Sequence, residues 1–328
     1  MEAKTKNYNS IDAAKFVMAI LVMSIHIYTG FPEEINSFIA NGLARIAVPF
    51  FFIASGFFFF RKTENLQVKN LFKTLKRIAL LFIGWTVIYG IYVYFTTFIH
   101  SEHALLNGFY FLRRHLLLNP YAHLWFLPAL MIGLSMGWIF LKFNLKKTAL
   151  FIGVTLYFVG VLGDSYYYLA TKNQLIKSVF DTYLHYFTNF RNGVFFGFAF
   201  VILYDTFQNM SRKNLFFLSL ISLMATFAEY FFVKNNSYAL DYNMYFSLLI
   251  FTPSFFQLLL KTPCNISASM ALFFREYSMG IYFLHPLIKE LNPIDWGLMR
   301  FPMIAIECIV VIFIIKKLKI PILSFLLK

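Results

Sequence analysis

Charged residues are scarce in this chain of 328 amino acids. Aspartate and glutamate number 15, lysine and arginine 29, and together they make up 13% of the sequence. Soluble domains carry about 25% charged and about 45–50% apolar residues, whereas this chain is 59% apolar. So few polar groups could not cover the surface of a soluble globule. The composition excludes a soluble enzyme and a disordered chain, and it predicts an all-α, polytopic integral membrane protein.

Cysteine is nearly absent too. Cys264 and Cys308 lie far apart, in or beside apolar segments, so the sequence predicts neither a disulfide framework nor a metal site. The net charge of +14 is spread over short segments between apolar runs. It forms no basic stripe with interleaved aromatics, so we expect no binding of nucleic acid.

Ten apolar segments are long enough to cross a bilayer, which takes about 20 residues of helix. They lie near 10–31, 38–60, 78–99, 124–141, 147–163, 183–204, 214–233, 242–260, 277–291 and 302–316. Segment 103–118 carries charges at its centre and predicts an interfacial amphipathic helix. No loop is long enough for a soluble domain. We therefore expect residues 1–328 to form a single membrane domain whose first span is retained, not cleaved as a signal peptide.

The orientation follows from the lysines and arginines, which accumulate in cytoplasmic loops. With the N-terminus inside, 19 of them fall in cytoplasmic segments and 8 in outer segments, while Lys15 and Arg191 lie within spans. Both termini are therefore predicted to face the cytoplasm, in a multi-pass protein of the plasma membrane.

Ionisable residues inside a span cost free energy in hydrocarbon, so they normally face a protein interior or a polar cavity. The first span holds Lys15 and His26, eleven residues apart. This spacing places them on nearly the same helix face, about 16 Å apart along the axis. The alternative is a snorkelling lysine and a histidine satisfied by a neighbouring helix. Arg191 lies within segment 183–204. Glu229 and Glu307, in other segments, are the candidate partners for its charge.

Further polar residues lie at the ends of other spans. Arg45 begins the second span, and His123 opens the fourth two residues before Trp125, which is typical of a membrane-interface anchor. In the ninth span, Tyr282 and His285 are i, i+3 neighbours on one helix face, and Pro286 is predicted to break the helix directly afterwards.

These residues make the interior more cationic than acidic. A cationic site suits an anionic ligand or a developing oxyanion. Histidine, with an ordinary pKa near 6.5, is the natural general base for a hydroxyl at neutral pH.

Six segments in order resemble the membrane-bound acyltransferase 3 family, which includes bacterial O-acetyltransferases of surface polysaccharides and the membrane module of vancomycin-resistance serine racemases. They are IDAAKFVMAILVMSIH, RIAVPFFFIASGFFFF, KRIALLFIGWTVIY, HLWFLPALMIGL, RNGVFFGF and YSMGIYFLHPL. The resemblance implies transfer of an acyl group, usually acetyl, from acyl-CoA to a hydroxyl of a sugar or cell-envelope glycan at a bacterial inner membrane. Acyl-CoA would then be a co-substrate from the cytoplasmic side, with no bound cofactor.

The resemblance also implies roles for individual residues. The family's first span carries an arginine and, after ten intervening residues, the catalytic histidine; here these positions hold Lys15 and His26. His26 is the implied general base, and Lys15 would orient the base or the donor. Binding of substrate or oxyanion falls to Arg45, Arg191, His123, Tyr282 and His285. Lys76 and Arg77, in a basic run from Arg61 and Lys62 onward, would bind donor phosphates, although positive-inside topology also explains this run.

Two other functions remain open at this stage. One is a transporter or flippase that moves a small amino acid or a lipid-linked sugar without covalent change, since a racemase module could take up an amino acid. The other is a non-catalytic partner within an assembly that handles an envelope polymer.

Overall fold

The computed structural model describes residues 8–62, 66–117, 119–294 and 297–327. Lys4, Lys6, Lys328 and the side chain of Lys62, all counted above as cytoplasmic, lie outside this part. Within it, every regular element is helical, as the composition predicts. The α-helices are α1 (Asn9–His26), α2 (Glu33–Phe38), α3 (Ala47–Lys62), α4 (Val68–Val93), α5 (Ala104–Leu117), α6 (Phe126–Lys142), α7 (Lys146–Gly163), α8 (Tyr167–Ala170), α9 (Gln174–Phe187), α10 (Phe198–Ile202), α11 (Arg212–Asn235), α12 (Leu248–Lys261), α13 (Ala268–Leu291), α14 (Arg300–Leu318) and α15 (Pro321–Leu326).

Shorter helical turns extend several of these helices. Three are π-helical, a geometry that is rare and is frequent at functional sites: Ile39–Leu43, Tyr94–Phe98 and Gly193–Gly197. Four are 3₁₀ turns: Ala44–Ile46, Ala122–Trp125, Leu203–Asp205 and Gly297–Met299.

Seven helical stretches are long and apolar enough to cross a membrane. They are Asn9–His26, Glu33–Arg61, Val68–Phe98, one within Ala104–Lys142, Lys146–Gly163, Arg212–Asn235 and Gly297–Leu318. The other predicted spans coincide with the shorter apolar helices Gly193–Asp205 and Leu248–Lys261 and with α13, whose two ends carry charges. A protein of membrane-spanning helices is therefore supported, while the count of ten, the side of the termini and the single domain stay predictions.

Several predicted boundaries are wrong. Segment 183–204 is not one span: α9 ends at Phe187, and the helix resumes only at Gly193, so Arg191 lies in the break between them. The helix of the third span begins earlier than the predicted span, at Val68, which places Lys76 and Arg77 more than two turns inside α4. Residues 242–247 precede α12 as a non-helical segment.

Pro286 does not break its helix, because α13 continues to Leu291 with the proline inside it. A proline costs one backbone hydrogen bond, to the carbonyl four residues earlier, and a helix packed on its neighbours tolerates this loss. The correction matters for the site, since it leaves Tyr282 and His285 in the middle of a long helix and not at its end.

The chain folds as two compact units. Unit one comprises Met1–Ser55, Leu203–Phe232 and Tyr245–Lys328; unit two comprises Gly56–Ile202 and Val233–Met244. In unit one, α1 packs along α13, and α14 also packs on α13. Asp12 contacts Arg275, and His26 contacts His285, so α1 and α13 run parallel. The predicted topology requires this direction for its first and ninth spans.

Unit two is built around α6 and the stretch from Gly193 to Ile202. This stretch packs on both α6 and α7, and α4 also contacts α6. The approach to α6 is close: a Cβ at Gly193 would lie 2.4 Å from Ile132 Cβ, and one at Gly133 would lie 2.8 Å from the carbonyl carbon of Gly197. Glycines spaced by four residues permit such contact between membrane helices.

Candidate functional site

Two imidazoles meet where α1 ends. His26 is the last residue of α1, and its ring centroid lies 5.4 Å from that of His285 in the middle of α13. His285 is fully buried, and its Nδ1 lies 3.0 Å from the carbonyl oxygen of Ile281. A carbonyl oxygen can only accept, so Nδ1 carries the proton and Nε2 is the nitrogen with a lone pair in the neutral ring. His26 is only partly buried.

A charged cluster lies at the opposite end of the same helix pair. Asp12 is 3% exposed, and its Oδ2 accepts hydrogen bonds from Arg275 Nε at 3.0 Å and Nη2 at 2.7 Å. Lys15 follows one turn after Asp12 on α1 and interacts electrostatically with both Asp12 and Arg275. Two cations thus share one buried carboxylate, and the cluster carries a net positive charge. Arg275 was not predicted as a site residue; its proximity to Asp12 depends on contact between residues 263 positions apart.

Two further predicted site residues lie in unit one. Arg45 is 9% exposed in the 3₁₀ turn before α3, where Nε donates to the carbonyl oxygen of Ala40 at 3.1 Å and Nη2 donates to Asn41 Oδ1 at 2.6 Å. These bonds tie it to the π-helical stretch that precedes it. Tyr282 is buried, with its ring centroid 6.4 Å from that of His285 and 5.9 Å from that of Phe51. Tyr282 and His285 are therefore neighbours, as their spacing predicts.

Arg191 lies in unit two with an amide as its hydrogen-bond partner. Its Nη1 donates to Asn243 Oδ1 at 3.0 Å, and its guanidinium carbon lies 5.5 Å from the ring centroid of Trp125. The carboxylates proposed as its partners bond elsewhere. Glu229 accepts the backbone N–H groups of Phe246 and Ser247 at the start of α12, and Glu307 accepts from the Asn292 amide at 2.7 Å.

The break that holds Arg191 is organised by the next residue. Asn192 Oδ1 accepts from the backbone N–H groups of Val194 and Phe195, so it caps the π-helical turn that follows. Its amide nitrogen donates to Tyr183 Oη at 2.6 Å. The string RNGVFFGF thus encodes a partly buried arginine, a helix cap and two close-packing glycines.

His123 and Trp125 share the 3₁₀ turn before α6. His123 is 2% exposed, and its ring meets Tyr89 edge-on with centroids 5.6 Å apart. Trp125, favoured above as an interface anchor, contacts Arg191 and, edge-on, Phe196. Such a cation–π contact orients a guanidinium and leaves its charge intact.

Lys76 and Arg77 are both exposed on α4. Exposed cations can bind donor phosphates and equally well mark the cytoplasmic side of a membrane. Among the described residues, no three His, Cys, Asp or Glu side chains lie close enough together to hold a metal ion.

Comparison with known proteins identifies the family. The family profile described as an acyltransferase domain (acyltransferase 3) matches residues 8–315. An amino-acid racemase of Enterococcus faecalis is 33% identical over 213 residues, which is 61% of this chain and 28% of the racemase. A serine/alanine racemase of Enterococcus gallinarum is 28% identical over 294 residues, 84% of this chain and 40% of that protein.

A second amino-acid racemase of E. faecalis is 28% identical over 298 residues, 85% of this chain and 41% of the racemase. The chain therefore aligns with less than half the length of these relatives. No solved structure matches it. The family profile covers nearly the entire sequence, including the histidine pair and the charged cluster at the two ends of α1. The chain belongs to the acyltransferase 3 family.

Proposed function

We propose that the protein is a membrane O-acyltransferase that moves an acyl group, most simply acetyl, from acyl-CoA to a hydroxyl of a sugar or cell-envelope glycan. The observation that carries the proposal is the contact of His26 with His285 in a chain of the acyltransferase 3 family. A partly exposed imidazole beside a buried one provides a positioned base for a hydroxyl nucleophile.

In the proposed reaction, an imidazole nitrogen of His26 takes the proton of the acceptor hydroxyl. The acceptor oxygen then attacks the thioester carbonyl carbon, forming a tetrahedral intermediate with a negatively charged oxygen. When the carbon–sulfur bond breaks, coenzyme A leaves as a thiolate and takes the proton from the His26 imidazolium. The products are an ester and free coenzyme A. His285, held by the Ile281 carbonyl, packs against the base and fixes its position.

The charged cluster at the other end of α1 has a second proposed role. Lys15 and Arg275 carry one positive charge more than Asp12 neutralises, and half of the Arg275 side chain is exposed. Cationic side chains such as those of Lys15 and Arg275 can bind the phosphates of acyl-CoA. Because Lys15 and His26 lie about 16 Å apart on one helix, an extended donor could bind at one end and react at the other.

Turnover in proteoliposomes tests the proposal. The purified protein is supplied with acetyl-CoA and a panel of envelope sugars, and release of free coenzyme A is measured together with the mass of the acceptor. His26→Ala is expected to lower kcat about 10²–10⁴-fold, the usual contribution of a general base. The matched control is His185→Ala, since His185 is an exposed histidine on α9. Wild-type turnover by His26→Ala with the correct acceptor would exclude His26 as the base.

A second candidate is transport of a small amino acid without covalent change. It is favoured by the names of the relatives, which are amino-acid racemases aligned with this chain over 28–41% of their length. Flux of labelled serine or alanine into liposomes, with no change in substrate mass and no release of coenzyme A, would support this candidate over acyl transfer.

A further inference from the structure

Unit two contains a buried carboxylate that the proposed reaction does not use. Asp164 follows α7 directly and is 2% exposed. Its Oδ1 accepts hydrogen bonds from the backbone N–H groups of Asn243 at 2.8 Å and Met244 at 3.2 Å, and from Ser165 Oγ at 3.1 Å. Its Oδ2 accepts from the Asn243 side-chain amide at 3.0 Å. These bonds hold the backbone of Asn243 and Met244 and the side chain of Asn243 in one arrangement.

Asn243 is also the hydrogen-bond partner of Arg191. Because Asp164 can only accept, the nitrogen of the Asn243 amide must point toward it. The amide oxygen then points the other way, where it accepts from Arg191 Nη1 at 3.0 Å. Asp164 thus sets the orientation of the Asn243 amide, and this amide in turn orients the guanidinium of Arg191. The same guanidinium also contacts the ring of Trp125. The Asn243 side chain lies between the Asp164 carboxylate and Arg191, so the carboxylate orients Arg191 without pairing with it directly.

We propose that Asp164 is a positioning residue for Arg191: through the Asn243 amide it holds the guanidinium against Trp125, where that guanidinium meets an anionic or oxyanionic group of the substrate. The inference rests on the proposed acyl transfer for the identity of that group. The chain of contacts from Asp164 to Trp125 stands independently of the reaction.

The substitution Asp164→Asn should break this chain without removing a side chain. An asparagine in place of Asp164 can still accept the two backbone N–H groups, but its own NH₂ group then faces the NH₂ group of Asn243. Relief requires the Asn243 amide to turn over, which directs two N–H donors at Arg191. In either arrangement the bond between Asn243 and Arg191 is weakened or lost. We expect kcat/KM for acetyl transfer to fall about 10²-fold, as it does when a reacting group is misplaced by about 1 Å.

Two combined variants separate positioning from general structural damage. If Asp164 acts through Arg191, the double variant Asp164→Asn/Arg191→Gln should have the kcat/KM of Arg191→Gln alone. The exchange Asp164→Asn/Asn243→Asp restores the chain of hydrogen bonds, because the new carboxylate at position 243 accepts from both Arg191 and the new amide at position 164. Because this carboxylate also pairs with Arg191 and neutralises its charge, kcat/KM should stay low in the exchange variant, and its readout is the position of the guanidinium against Trp125. Asp181→Asn, which changes a carboxylate of the same unit bonded to Tyr167, is the matched control and should leave kcat/KM unchanged.

Tryptophan emission supplies a readout that does not depend on turnover. The contribution of Trp125 is the difference between the protein and its Trp125→Phe variant. Asp164→Asn should change this contribution as Arg191→Gln does, and the exchange variant should restore it. Losses in kcat/KM that multiply in the double variant, or an emission contribution that Asp164→Asn leaves unchanged, would overturn the proposal. If no acceptor is turned over by the unmodified protein, the proposed function fails while the emission test still decides the role of Asp164.

Discussion

The ion pair between Asp12 and Arg275 should couple α1 to α13 by about 2 kcal/mol. An exposed ion pair contributes about 0–1 kcal/mol, and removing one partner of a buried pair costs about 3–5 kcal/mol. This pair lies between those limits, because the Asp12 side chain is 4% exposed and that of Arg275 is 52% exposed. Two charge-assisted bonds to one oxygen favour a value above the exposed limit, and Lys15 reduces the loss by remaining near Asp12 when Arg275 is removed.

A double-mutant cycle measures this coupling. Asp12→Asn, Arg275→Gln and the double variant are compared by thermal unfolding in detergent, where 1 kcal/mol corresponds to about 2–4 °C in Tm. The control cycle uses Lys289 and Glu290, an ion pair at 3.3 Å whose side chains are 34% and 47% exposed. It should give about 0.5 kcal/mol or less. A coupling of Asp12 to Arg275 no larger than this control would refute the claim that the charged cluster holds the two helices together.

Three further outcomes are expected. Glu229→Ala should lower stability by about 1–2 kcal/mol, because two backbone N–H groups lose their acceptor, and Glu229→Gln should fall between it and the unmodified protein in Tm. Gly193→Ala should cost about 1–3 kcal/mol, since its Cβ would meet Ile132 at 2.4 Å, whereas Gly108→Ala meets only a ring carbon at 3.2 Å and should unfold near the normal Tm. Arg77→Gln should raise KM for acetyl-CoA and leave kcat unchanged, with Lys147→Gln, at another exposed cation on α7, as the control; equal KM values for the two variants would show that Arg77 does not bind the donor.

Much of the helical architecture could be predicted from the sequence, because long apolar runs in a charge-poor chain have few other solutions. The errors arose where a local rule met tertiary packing. Proline predicts a helix end, yet Pro286 is buried inside α13, a helix that packs on α1 and α14. A hydropathy window also joins residues 183–204 into one span, since it averages over Thr188 and Asn192, where the helix in fact stops. A cap residue followed by glycine was the signal for that break.

The candidate site was predictable only in part. The family motif pointed to His26, and helical spacing placed Tyr282 beside His285, since both relations depend on residues close in sequence. The partners across the fold could not be found this way. Arg275 reaches Asp12 over 263 positions, and Asn243 reaches Arg191 over 52, so nothing in local spacing connects them. Buried polar groups must nevertheless have partners, and that rule shows where such connections should be sought.

The pair of His26 with His285 and the group of Arg191 with Asn243 and Trp125 differ in a way that suits different tasks in the proposed acyl transfer. A general base must accept and release a proton within each turnover, so its charge has to change; histidine does this near neutral pH, and His26 has a second imidazole beside it. A group that stabilises an oxyanion must keep its charge throughout, and arginine does so at any physiological pH. Arg191 accordingly has an amide and an indole as neighbours, which orient it without neutralising it. Replacing Arg191 by histidine should therefore add a dependence of turnover on the protonation of that side chain, with activity lost as pH rises above about 6.5, while Arg191→Lys should keep the pH profile of the unmodified protein at lower turnover.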